Sequence, residues 1–246
     1  MWNAKTSFNY LGIVSGKKKK LIQAVCEKFT IPLTGVVLLF DRYDYKSYPK
    51  KSIWRNLGNH LNIEFGDECD HKTPKIVDNL AGSKKYSHLI WLSRRAWSGE
   101  DIALVWNLSH ELRHLEQDIE NRFLSLSGNF LYRNLSGVKI EEPKLWITAP
   151  TELDAELAAW RTSLKIFNSH HIKSYINKKS QSADTQEHFR ILSEHDPEDS
   201  YDVQGSMISL LRKYQPQFDE IIKDVYGRCG VLKSVDNLCK ELTKST

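Results

Sequence analysis

The chain has few of the features that mark membrane proteins, exported proteins or cysteine-based zinc proteins. It contains no run of eighteen apolar residues, and its N-terminus lacks the apolar segment of a signal peptide. Its four cysteines form no CxxC pair, which argues against a zinc site built from thiolates. We therefore expect a cytoplasmic protein with free thiols and no membrane span.

The composition of the chain is that of a folded globular protein. Hydrophobic residues make up 40% and charged residues 27% of 246 residues, enough apolar material for one well-buried core. The net charge of +4 comes partly from the run Lys17–Lys20, and such runs more often form a solvated surface than a nucleic-acid site. With no repeat and no strong boundary, residues 1–246 are predicted to form a single domain, and nothing in the sequence indicates an oligomeric state.

Hydrophobic periodicity predicts strands in the N-terminal half and helices in the remainder. A strand is predicted at residues 33–40, another at 88–92 and a third at 62–65, with a helix at 50–61 between them. The fold class is therefore α+β, with a small mixed sheet covering the long helix that begins near Ser98. Further along, a break is predicted at Gly128 and a helix from Pro150. A flexible loop is predicted over 178–200. The C-terminal portion, 202–246, is predicted to be helical, with helices near 202–214 and 216–243.

The segment of most chemical interest, residues 110–114, reads HELRH and lies within the predicted long helix. His110 and His114 are about one helical turn apart, so their imidazoles project from the same side and can bind one zinc ion. Glu111 projects beside the metal, where it can take a proton from a zinc-bound water. The pattern predicts His110 and His114 as metal ligands and Glu111 as the catalytic base.

The spacing alone is weak evidence, since it would arise by chance in roughly 2% of chains of this composition. Two surface histidines on an amphipathic helix would produce the same pattern. Two features favour the metal site: the helix is strongly apolar and follows a strand, and acidic residues suited to be a third ligand lie downstream.

The third ligand is expected among the acids at the start of the helix after Pro150. Glu152 and Glu156 are four residues apart and share a helical face, so one can bind the metal while the other accepts the free N–H of a ligand histidine. Glu152 is the preferred ligand; Glu156, Asp154 or a histidine outside the motif remain alternatives. Acids in a first helical turn also stabilise the helix dipole without any metal.

The HELRH helix followed by Glu152 and Glu156 resembles the gluzincin zinc metallopeptidases, and especially the CAAX prenyl proteases and the small repressor-cleaving bacterial metallopeptidases. The resemblance covers residues 86–165. It implies a zincin-like domain in which His110, His114 and Glu152 hold Zn2+, Glu111 is the base and Glu156 orients a ligand. Glu156 stands where those families usually have Asp. In them an edge strand binds the extended substrate, and residues 88–92 are the candidate here by position.

The predicted function is that of a zinc-dependent metallohydrolase, a peptidase that cleaves peptide or protein substrates. A metzincin is excluded, because Gln117 and Glu120 occupy the positions of its glycine and third histidine. The alternative is a non-catalytic, zinc-stabilised binding or regulatory protein that contacts a protein partner or nucleic acid, although nucleic acid is not expected. The oxyanion-stabilising residue stays open among Tyr132, Arg161, His170, His171, His195 and Tyr201.

Overall fold

Four short strands form one mixed sheet. The computed structural model describes residues 9–11, 14–31, 33, 35–44, 46, 57–62, 86–134, 149–182, 185–223 and 233–244. The strands are β1 (Asn9–Leu11), β2 (Val36–Phe40), β3 (Gly58–Asn62) and β4 (His88–Leu92), and they lie in the order β1-β2-β4-β3. β2 pairs in parallel with β1 and β4, whereas β3 runs antiparallel to β4.

Helices make up most of the rest of the described chain. α1 begins after Ser15, whose hydroxyl accepts a hydrogen bond from the Lys18 N–H at 3.4 Å. Another helix begins with Pro150, and proline is favoured in the first turn of a helix. The helices are α1 (Gly16–Cys26), α2 (Arg94–Ser98), α3 (Asp101–Glu120), α4 (Arg122–Asn134), α5 (Pro150–Ile166), α6 (Ser169–Ser180), α7 (Gln186–Leu192), α8 (Val203–Lys213), α9 (Gln215–Ile221) and α10 (Val235–Thr243). The chain is thus α+β and mostly helical, as predicted.

The contacts group the chain into two compact units, a subdivision that the sequence did not predict. Unit 1 comprises residues 1–115 and 158–175, and unit 2 comprises residues 116–157 and 176–246. Each unit has its own apolar core.

The core of unit 1 contains side chains of the sheet and of α3, the motif helix, which carries residues 110–114. Alternate residues of a strand point to the same face of a sheet, and here one face supplies Leu38 from β2 with Ile90 and Leu92 from β4. These side chains pack in one cluster with Leu108 and Leu112 of α3. The first half of α3 is therefore surrounded by apolar side chains of the sheet.

The core of unit 2 is built from helices. It contains Leu131 of α4, Met207 of α8, Phe218 of α9 and Leu238 of α10, all fully buried or nearly so. α8 and α10 each begin at a side-chain cap, in which Asp202 accepts from the Gly205 N–H and Ser234 accepts from the Asn237 N–H. The helix predicted near 202–214 is confirmed as α8. The helix predicted at 216–243 is not one continuous helix, because Ser234 has an extended backbone and α10 begins after it. Residues 224–232 lie outside the described residues.

The structure corrects two predictions about the sheet. Residues 58–62 form strand β3 rather than the end of a helix, because their backbone pairs with β4. β4 itself, the predicted substrate-binding edge strand, lies between β2 and β3, so both of its edges are already paired. Within the described sheet the edge next to β4 is β3. Residues 50–56 and 63–65 lie outside the described residues.

Two predictions about the helical part are also wrong. Gly128 does not break the chain but lies inside α4, where a Cβ atom would be only 2.7 Å from the Thr151 hydroxyl. Glycine at this position allows close packing of α4 against the start of α5. Residues 178–200, predicted as a flexible loop, include the end of α6 and all of α7, and Phe189 of α7 is buried.

Among the described helices, none has the length and apolar character needed to cross a membrane.

Candidate metal centre

His110 and His114 lie side by side in the second half of α3. Their Nε2 atoms are 3.0 Å apart, and the ring planes are inclined by 81° with ring centroids 4.7 Å apart. Both rings are half-buried, and the Nδ1 atom of His110 is buried. The two Nε2 atoms therefore converge on one point, as the helical spacing predicted.

Glu111 lies on a different side of α3 and contacts the first residue of the edge strand. Its side chain is buried, and a Cβ atom at Gly58 would lie 2.6 Å from Glu111 Oε1 and 2.9 Å from Glu111 Cγ. The same Cβ atom would be 2.9 Å from Leu92 Cδ2, on the strand paired with Gly58. Gly58 thus leaves room for the Glu111 carboxylate because it has no side chain.

The motif predicts Glu111 as a catalytic base, and on that prediction Gly58→Ala should lower the turnover number. The added methyl group must displace the Glu111 side chain, since the Gly58 backbone is held by its pairing with Leu92. A misplacement of about 1 Å can cost roughly 100-fold in rate, so we expect kcat to fall about 10- to 100-fold. Steady-state kinetics of the variant, with its zinc content measured alongside, gives the answer.

Gly16→Ala is the matched control, because a Cβ atom at Gly16 has no neighbour within 4 Å. This variant should keep the wild-type kcat. An unchanged kcat in a folded, zinc-loaded Gly58→Ala protein would show that Glu111 is not held by the edge strand.

Glu152 lies in the first turn of α5, where it is half-buried. Other residues of this turn accept hydrogen bonds from the part of α3 that belongs to unit 2. Gln117 Nε2 donates to the Thr151 carbonyl oxygen at 3.0 Å and to Asp154 Oδ2 at 2.8 Å. Since Gln117 is one helical turn beyond His114, the start of α5 lies beside the end of the motif helix.

The other two acids of α5 contact polar side chains within unit 2. Asp154 is buried and accepts the Gln117 hydrogen bond described above. Glu156 Oε1 lies 3.2 Å from Nε2 of His188 on α7, and both side chains are mostly buried. His188 comes from the segment that was predicted as a loop, so the sequence did not reveal this partner.

The predicted oxyanion-stabilising residues are scattered over both units. His170 and His171 are exposed at the start of α6, as ordinary helix-end residues would be, and the Tyr132 side chain lies outside the described residues. In unit 2, burial raises the pKa of Tyr201, and the negative charges of Asp154 and Asp202 raise it further. Tyr201 therefore stays a neutral hydrogen-bond donor at physiological pH.

Thiol chemistry has no support in the described cysteines. Cys26 and Cys239 are free and buried. Burial raises the pKa of the Cys26 thiol to about 12, and burial likewise raises the pKa of Cys239. Since the thiolate is the nucleophile and the metal ligand, neither residue is suited to either role at neutral pH.

A comparison of the chain with known protein families, with curated proteins and with solved structures found no match.

Proposed function

We propose that this chain is a zinc-dependent peptidase of gluzincin type, in which His110, His114 and Glu152 hold the ion and Glu111 is the catalytic base. The observation that carries the proposal is the pair of Nε2 atoms 3.0 Å apart on the helix that also carries Glu111. Glu152, in the first turn of α5, is proposed as the third ligand because it holds the position of the ligand glutamate in the gluzincin pattern.

The donor atoms suit zinc. With Zn–N distances of about 2.0–2.1 Å and tetrahedral angles, two histidine nitrogens on one ion are about 3.3 Å apart. The separation of the His110 and His114 Nε2 atoms, 3.0 Å, is close to this value. Two imidazoles and one carboxylate are a common ligand set of catalytic zinc, which leaves a coordination position for the reaction.

The other two acids of α5, Asp154 and Glu156, contact side chains of unit 2. The Asp154 carboxylate is engaged by Gln117, and this contact aligns α3 with α5. Glu156 is engaged by His188. Glu156 stands where the resembling families usually have Asp, and its longer side chain reaches His188 on α7.

In the proposed reaction Zn2+, when bound, acts as a Lewis acid that polarises the scissile carbonyl and acidifies water. Glu111 accepts the proton of the attacking water and then delivers it to the leaving amine, which is general base followed by general acid catalysis. The packing of Glu111 against Gly58 fixes the carboxylate at the end of the edge strand.

The position of Glu111 also suggests how a substrate is held. Gly58 begins β3, which is the last strand in the order of the described sheet. An extended peptide that pairs with β3 by strand addition would carry a peptide bond past Glu111. The role predicted for β4 thus passes to β3, and the proposed substrate is an extended or unfolded polypeptide segment.

The experiment that tests this function combines metal content with hydrolysis. Purified protein, loaded with zinc and freed of excess ion, should contain zinc bound at a site that His110→Ala removes, as measured by plasma mass spectrometry. It should cleave members of a peptide library at defined bonds, as followed by mass spectrometry. Chelation should abolish cleavage, and added Zn2+ should restore it.

The controls separate the peptidase from the alternative of a zinc-stabilised binding protein. His171→Ala removes an exposed histidine outside the site and should leave zinc content and cleavage unchanged. Folded protein that takes up no zinc would refute the whole proposal. Protein that binds zinc at His110 but cleaves no peptide or unfolded protein would instead be the non-catalytic alternative.

A further inference from the structure

A second pair of histidines lies together on the sheet, apart from the motif. His60 Nε2 on β3 is 3.1 Å from His88 Nδ1 on β4, and the rings stack with centroids 5.3 Å apart and planes inclined by 24°. Both residues are half-buried. Their separation is close to that of the His110 and His114 nitrogens, which is the distance expected for two ligands of one ion.

The strand register explains why these histidines meet. His60 pairs with Ile90 and His88 pairs with Asn62, so the two histidines are diagonal neighbours on the same face of an antiparallel pair. Gly58 is two residues before His60 and therefore faces the same way. Because the Cβ position of Gly58 meets Glu111, this face of β3 is turned towards α3.

We propose that His60 and His88 bind a second divalent transition-metal ion. Imidazole nitrogens are ligands that suit both Zn2+ and Co2+. His60 is about 7 Å further along β3 than Gly58, so the second ion binds close to Glu111 without sharing a ligand with the first. An ion held by both histidines links β3 to β4.

The test counts metal ions per chain. Protein stripped of metal is titrated with Co2+ alone, by calorimetry and by the visible absorption of the bound ion, and zinc is counted by plasma mass spectrometry. We expect two ions per wild-type chain. His60→Gln and His88→Gln should each leave one ion, His110→Ala should also leave one, and combining His60→Gln with His110→Ala should leave none.

His170→Ala, which removes an exposed histidine of α6, is the control and should keep two ions. Glutamine replaces His60 and His88 because it keeps a polar side chain of similar size, and circular dichroism verifies that each variant is folded. A wild-type chain with a single ion that persists in folded His60→Gln and His88→Gln would overturn the second site. That result would leave the first site intact, since its ion is the one lost with His110.

Discussion

Replacement of Glu111 by glutamine should leave the protein folded and loaded with zinc while hydrolysis falls by about 100- to 10,000-fold. The amide has nearly the same shape as the carboxylate, so it can keep the packing against Gly58 and Leu92. It cannot accept the proton of the attacking water. The loss should therefore appear in kcat, and zinc content measured on the same sample should equal that of the wild type.

Glu120→Gln is the matched control for this experiment, because Glu120 is an exposed glutamate on the same helix. Its kcat and zinc content should both be normal. Full activity of a zinc-loaded Glu111→Gln protein on a verified substrate would mean that another group takes the proton, and the proposed mechanism would then be wrong.

The second large effect is expected from Glu152→Gln. Removal of one of three protein ligands should weaken zinc binding by at least about 100-fold, more than the 10- to 100-fold typical of residues that only orient a ligand. Competition with a chelating dye measures the affinity. Hydrolysis at low free zinc should fall in parallel with occupancy, since an empty site supplies no Lewis acid.

The three acids of α5 can be ranked by the same measurement. Glu156→Gln alters a residue that pairs with His188, and we expect a smaller loss of zinc affinity than for Glu152→Gln. Glu194→Gln changes an exposed glutamate of unit 2 and should have no effect. A larger loss in Glu156→Gln or Asp154→Asn than in Glu152→Gln would assign the third ligand to that residue instead.

The elements that the sequence predicts best are those whose pattern is strong over their own length. The run at 88–92 is a strand and the apolar stripe after residue 101 is a helix, as predicted. β3 was missed because Leu57 and Leu61 also fit a helical spacing. Its strand conformation depends on pairing with β4, some thirty residues away in the chain, and local pattern carries no information about that partner.

The same distinction holds for the site. The spacing of His110 and His114 is local to one helix, so their proximity could be predicted from the sequence. The roles of Gly58 and His188 could not, because each depends on a contact between segments that are distant in the chain. His60 and His88 likewise become neighbours only through strand register. The positions of two distant histidines in the sequence do not indicate that the two side chains will lie on one face of a sheet.

The division of the chain between its two units restricts how shorter fragments can be made. Each unit takes two separate stretches of sequence, and the boundaries at 115/116, 157/158 and 175/176 all fall inside α3, α5 and α6. A single cut therefore never releases one unit by itself, and the first boundary would end a fragment one residue after His114. Truncated clones that stop between residues 115 and 176 lose most of unit 2, and those that stop before residue 158 also lose the second stretch of unit 1. Screens for function therefore need the chain through α10.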